Sequence, residues 1–201
     1  MKSYPIQEHF YSLQGEGANA GKAAYFLRLS GCHVRCSFCD SMEAWDETPK
    51  QRVTPFKMAG WVSSTRAENI VITGGEPLLH DLDTLCKALR SYIPNVYLWL
   101  ETSGTNRFSG DFDWVCLSPK KHYLPLAENY AKADELKVII EHPNDFAFAE
   151  KEALKVNSDC QLFLQTEWSK RHFISTMITD YILENPKWQL SVQVHKYLEI
   201  L

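Results

Sequence analysis

The sequence predicts an α/β protein built as a partial, open β/α barrel, and three observations carry that prediction. Apolar, β-rich runs alternate with helical patterns along the chain, as βαβ units in a parallel sheet require. A polar, often glycine-bearing segment follows nearly every run, and β/α barrels build their active sites at those C-terminal strand ends. The chain has 201 residues, fewer than the roughly 250 of a complete eightfold barrel.

The first strand is expected at Ala24–Leu29, followed by a cysteine-rich loop. Thr54-Pro55 reads as an N-cap with proline at the first helical position, opening a helix to about Ser64. The second strand, Asn69–Thr73, runs into Thr73-Gly-Gly-Glu-Pro77. Asp81 is read as the cap of the next helix, with Leu82, Leu85, Leu89 and Tyr92 at helical spacing. Val96–Glu101 leads into Glu101-Thr-Ser-Gly104, and Trp114–Leu117 into Ser118-Pro-Lys-Lys121. The connection from Ser118 to Asp134 shows no clear pattern. Leu136–Ile140 and Gln161–Gln165 flank a helix around Asn144–Lys155, and a helix over Lys170–Asn185 precedes a last strand at Gln189–Val194. Several of these strands are nearly continuous apolar runs, as expected of parallel strands buried on both faces.

Residues 1–201 are read as one domain with a substantial core. Apolar content of 45% is ordinary for a globular chain. Net charge is −4 with Lys and Arg scattered rather than striped, which argues against a nucleic-acid-binding surface. There is no run of 18 apolar residues and hence no membrane span. The N-terminal segment lacks the apolar stretch of a signal peptide, and cysteines unpaired by spacing fit a reducing cytoplasm.

Chemistry is concentrated in Gly31-Cys-His-Val-Arg-Cys-Ser-Phe-Cys-Asp40. Cys32, Cys36 and Cys39 are spaced C-x3-C-x2-C, with Phe38 directly before the last. Structural zinc usually takes four ligands, so zinc here needs His33 or a distant histidine. A disulfide framework fits a chain of this length poorly, and three inert, buried thiols are the remaining bland reading. Iron–sulfur clusters normally take four cysteines; three leave one iron open to a ligand that is not protein. C-x3-C-x-aromatic-C is the cluster motif of the radical S-adenosylmethionine (SAM) superfamily.

With Gly74–Pro77, the cysteine motif resembles that superfamily. Phe10-Tyr-Ser-Leu-Gln-Gly-Glu-Gly17, Ser118-Pro119-Lys120 and His195-Lys-Tyr-Leu198 resemble the 7-carboxy-7-deazaguanine synthases within it, over the whole chain. The resemblance implies a partial β/α barrel of the radical SAM type and a [4Fe–4S] cluster on Cys32, Cys36 and Cys39. It further implies reductive cleavage of SAM to a 5′-deoxyadenosyl radical, hydrogen removal from C6 of 6-carboxy-5,6,7,8-tetrahydropterin, and ring contraction with loss of ammonia. SAM is expected at Phe38, Cys39, Asp40, Gly74, Gly75, Glu101, Ser103, Ser118, Pro119, Lys120, Gln165, Thr166, Glu167 and Trp168. Where the family often has Gln-Pro, this chain has Gln165-Thr166.

For the pterin the resemblance points to Leu13, Gln14, Gly15, Arg28, Thr73 and Leu201. Arg28 would bind the pterin carboxylate through two parallel hydrogen bonds, or else form a structural ion pair within its apolar run. Ser41, two residues after the last cluster cysteine, would bind Mg2+ through its hydroxyl, where many members carry threonine. A homodimer and an external electron donor of flavodoxin or ferredoxin type are also implied. Two rivals remain at this stage: a glycyl-radical activase, whose substrate is a protein, and a zinc-stabilised or electron-transfer module without SAM.

Overall fold

A computed structural model describes residues 2–46 and 51–201. Its sheet has nine strands in the order β3-β1-β2-β4-β5-β6-β7-β8-β9. The seven strands of the sequence reading are all present: β2 (Ala23–Leu29), β4 (Asn69–Gly74), β5 (Tyr97–Thr102), β6 (Trp114–Leu117), β7 (Glu135–Ile140), β8 (Gln161–Thr166) and β9 (Trp188–Ser191). These seven run parallel in sequence order. Two more strands extend the sheet antiparallel beyond β2: β1 (Tyr4–Leu13) and β3 (Gln51–Val53). Neither was anticipated, because β1 mixes polar and apolar residues and β3 has three residues. β3 and β9 form the two edges and do not pair with each other, so the sheet stays open.

Helices α1 (Pro55–Ser63), α2 (Asp83–Tyr92), α3 (Asp145–Ala153) and α4 (Arg171–Glu184) match the four expected ones. The Thr54 hydroxyl caps α1 by accepting the Lys57 N–H at 3.4 Å. The α2 cap is a correction: Leu82 occupies the N-cap position, and Asp81 instead accepts the Asp83 N–H at 3.0 Å from one residue further back. The unclear stretch before β7 contains a 3-10 turn over Ala127–Lys132. The last strand is shorter than read, because the chain leaves the sheet after Ser191 and forms a short helix, α5 (Val194–Leu198).

Two buried clusters lie on the outer face of the sheet. One joins Leu27, Ile70, Ile72 and Leu98 to Met58 and Val62 of α1 and to Leu85 and Leu89 of α2. The other joins Leu136, Val138, Ile140 and Leu164 to Ala149 of α3 and to Ile174 and Ile178 of α4. The inner face has a separate apolar floor made of Ala24, Phe26, Val71 and Trp99. Above that floor, toward the C-terminal strand ends, the inward positions turn polar: Arg28 pairs in register with Thr73, and Glu101 with Cys116. Strand alternation alone puts these residues in the lumen. No helix of the described residues is long and apolar enough to cross a membrane.

Candidate active site at the C-terminal strand ends

The loop after β2 carries the three cysteines. It leaves the strand at Gly31 with φ of +104° and turns again at Arg35 with φ of +49°, a left-handed conformation uncommon for a residue with a side chain. Residues 41–45 fold back on it: Ala44 and Trp45 carbonyls accept the Gly31 and Cys32 N–H groups at 2.8 and 3.1 Å. The Gly-Gly turn after β4 closes in from the side. A Cβ at Gly75 would collide with the Gly31 carbonyl, the Cys32 side chain and the Ala44 carbonyl, so only glycine permits this approach. All three thiols line one cavity of about 510 Å³.

The donor set fits a polynuclear centre better than a single ion. Tetrahedral zinc with Zn–S near 2.3 Å brings its sulfurs to within about 3.8 Å of each other. Among the described residues, the one His/Cys/Asp/Glu group whose ligand atoms all lie within 4.8 Å of one another is Glu16, Asp40 and His195. The cysteine sulfurs are therefore spread more widely than one zinc ion allows, across a cavity with room for a cluster and its ligand. Cys86, Cys116 and Cys160 are free and buried elsewhere in the fold.

The same cavity gathers most of the residues expected to meet SAM: Phe38, Asp40, Gly74, Gly75, Glu101, Ser103, Ser118, Lys120 and Gln165 to Trp168. Pro119 is buried behind the wall and does not line it. Lys120 donates to the Ser118 carbonyl at 2.8 Å and hydroxyl at 2.6 Å, and burial pulls its ammonium below the ordinary lysine range. Gln165 is fixed by the Ser191 hydroxyl at 2.6 Å. Glu167 spends its carboxylate as the cap of the following turn, accepting the Ser169 and Lys170 N–H groups at 3.0 and 3.2 Å. The Trp168 ring lies under the Arg171 guanidinium at 4.1 Å and the Lys196 ammonium at 5.3 Å, which makes it a rigid wall.

A second cavity, of about 170 Å³, takes all six residues expected at the substrate: Leu13, Gln14, Gly15, Arg28, Thr73 and Leu201. The two cavities share Glu16, Arg28, Asp40, Thr73 and Glu101, so they meet above the polar layer of the lumen. Arg28 forms the ion pair that was one of its two readings. Its Nε donates to Glu8 at 2.6 Å, while the residue still lines both spaces. The Leu201 carbonyl accepts the Ser12 hydroxyl at 2.7 Å. Ser41 is buried, with its hydroxyl 3.5 Å from an Asp40 oxygen.

Several residues at this junction escaped the sequence reading. Lys137 projects from the middle of β7 and is almost wholly buried. It bridges Glu16 at 2.8 Å and Glu101 at 2.9 Å, and Glu101 also accepts the Gln14 amide at 3.0 Å. Burial works against the Lys137 charge, but the acidic groups around it hold the ammonium well above its ordinary range. Burial likewise opposes the Glu16 carboxylate, and Lys137 with the Gln193 amide overcomes it, holding that group at about 2. Gln193 links Glu16 at 2.8 Å to Asp40 at 3.3 Å, and Lys196 reaches Asp40 at 3.0 Å. Burial lowers the His195 imidazole, and its ring sits where a Cβ on Gly15 would be. Glu76, buried in the Gly-Gly-Glu-Pro turn, accepts from Leu78 N at 2.9 Å, Thr102 Oγ1 at 2.6 Å and Ser103 N at 2.8 Å, and also from the Ser103 hydroxyl. It therefore holds the β5 loop against the β4 loop. The signal for Lys137 was a charge inside an apolar strand; Glu16, Glu76 and Gln193 each stood inside a segment already singled out.

Comparison with known proteins agrees with this geometry. Residues 13–109 match the family model of a 4Fe-4S single cluster domain. The 7-carboxy-7-deazaguanine synthase of Flavobacterium psychrophilum is 48% identical over 98% of this chain and 92% of its own length. That of Synechocystis is 47% identical over 98% and 94%. A crystal structure of QueE from Escherichia coli superimposes with a TM-score of 0.82 at 29% identity, covering 96% of this chain and 95% of that one.

Proposed function

The chain belongs to the 7-carboxy-7-deazaguanine synthase family of radical SAM enzymes, and on that footing we propose its reaction and the division of labour in its site. The reaction is conversion of 6-carboxy-5,6,7,8-tetrahydropterin to 7-carboxy-7-deazaguanine with loss of ammonia, on the route to queuosine and related deazapurines. The observation that carries this reading is the pair of confluent cavities: one rimmed by three thiols, the other by an arginine and carboxylates.

Cys32, Cys36 and Cys39 hold the [4Fe–4S] cluster, which with SAM supplies reductive radical chemistry when bound. Gly74 and Gly75 leave backbone groups open to the SAM amino group; Ser103, Ser118 and Lys120 present polar atoms from neighbouring strand ends. Phe38 and the Gln165–Trp168 segment shape the adenosine side, and the Trp168 wall keeps water from the reacting centre. Arg28 binds the pterin carboxylate with the part of its guanidinium that Glu8 does not use. Gln14, Glu101 and Thr73 bond the ring edge, with Glu101 aimed by Lys137 at 2.9 Å. Mg2+ would be held by the Ser41 hydroxyl, which stands 3.5 Å from an Asp40 carboxylate oxygen, and would supply positive charge for the substrate carboxylate. Residues 1–201 act as one radical SAM domain in a cytoplasmic homodimer, reduced by a flavodoxin- or ferredoxin-type donor.

The test is anaerobic. Reconstituted protein supplied with SAM, dithionite, Mg2+ and the pterin should form 7-carboxy-7-deazaguanine by mass spectrometry, and Cys36→Ala should not. SAM cleavage with the pterin untouched would remove the substrate assignment and leave the radical chemistry.

A further inference from the structure

The Trp45 indole N–H points at the sulfur of Cys39, 3.3 Å away. The Ser41 backbone N–H meets the same sulfur at 3.4 Å. Among the described residues no comparable N–H reaches the sulfur of Cys32 or Cys36, so the three thiols are electrically unequal. Trp45 is also the residue whose carbonyl accepts the Cys32 N–H at 3.1 Å. Trp45 packs against the buried cluster of Cys32, Val34 and Cys36, as Phe38 does. Backbone and side chain thus tie one residue to both ends of the cysteine loop.

A half-buried indole N–H needs an acceptor, and a neutral thiol is a weak one. A thiolate is much better, because a bond to an ionised acceptor is about twice as strong. The arrangement is therefore worth most when Cys39 is deprotonated and bound to iron, and more again when the cluster carries an added electron. Hydrogen bonds to cluster sulfurs are among the protein's levers on reduction potential.

We propose that Trp45 is a positioning residue that sets the electron affinity of the cluster through its N–H bond to the Cys39 sulfur. The bond favours the reduced state, so a donor of modest strength can load the electron. The inference rests on Cys32, Cys36 and Cys39 being cluster ligands; if that reading fails, reconstituted protein will hold no stoichiometric iron and sulfide. That outcome is separate from any result below.

The experiment compares reconstituted wild type with Trp45→Phe and with protein carrying 3-benzothienylalanine at position 45, an isostere with sulfur in place of the N–H. Potentials are read by EPR-monitored redox titration, with iron and sulfide measured on each sample. The isostere should hold a full cluster whose reduction equilibrium constant is roughly three- to tenfold lower, or about 30 to 60 mV more negative. The EPR coupling to one deuterium-exchangeable proton near the cluster should disappear. If Trp45→Phe fails to hold the cluster, the isostere decides alone. A fully loaded isostere with the wild-type potential would overturn the proposal and leave Trp45 as packing.

Discussion

The two faces of β7 differ in chemistry while sharing one backbone. Outward, Leu136, Val138 and Ile140 are fully buried in the cluster with α3 and α4. Inward, Glu135 and Lys137 are just as hidden, yet they contact carboxylates, an indole N–H and the Ala18 backbone N–H. Burial is nearly equal; what differs is whether the buried atoms are satisfied by packing or by charge and hydrogen bonds. The outer face stabilises the sheet through removal of apolar area from water. The inner face contributes little net stability, since buried ion pairs roughly balance their desolvation, and instead fixes where charge stands in the lumen.

Adjacent residues on one strand separate the two roles. Lys137→Met leaves the half-buried Glu16 and Glu101 without their counter-charge; removing one partner of a fully buried group costs about 3–5 kcal/mol, and partial solvation of these carboxylates brings the expected loss below that, to about 2 kcal/mol. Product formation should also fall by about two orders of magnitude, the usual cost of a misplaced reactant, while SAM cleavage persists. Denaturant unfolding and product assays check both; a variant that is destabilised yet fully active would break the assignment of Lys137 to the site. Leu136→Ala, one residue away, should cost about 2–5 kcal/mol of stability and leave the turnover of folded protein unchanged. A specific loss of pterin turnover there would mean that the two faces are not independent.

The smallest effect is in acid. Glu16 falls from its ordinary 4.5 to about 2 in the folded protein, so the unfolded chain binds its proton first. The stability this group contributes is fully present above pH 4.5 and is lost as pH falls from there through about 2. Glu16→Gln should flatten that part of the stability–pH curve measured by denaturant titration. An unchanged slope would mean that Lys137 does not hold the carboxylate ionised.

How far the sequence was legible follows from the same contrast. The outward apolar runs announced seven strands and four helices, and the polar segments after them marked the right end of the sheet. Strand β1 stayed hidden because it pairs antiparallel near an open edge, where partly exposed positions such as Glu8, His9 and Tyr11 carry no continuous apolar signal. Lys137 was legible as an oddity, a charge within Glu135-Leu-Lys-Val-Ile-Ile140, but its partners lie 121 and 36 residues away, at Glu16 and Glu101.

Sequence by itself determined the cysteine spacing, the α/β alternation and the glycines that let Gly75 approach Cys32, because these depend on local period and on the absence of a side chain. Tertiary structure alone decided that Glu16, Glu101 and Lys137 form one charged group, that Asp40 meets Gln193 and Lys196, and that Trp45 turns its N–H to Cys39. Each of those contacts depends on strand register and on loops brought together from distant parts of the chain, and a buried charge is tolerated only where its partner arrives.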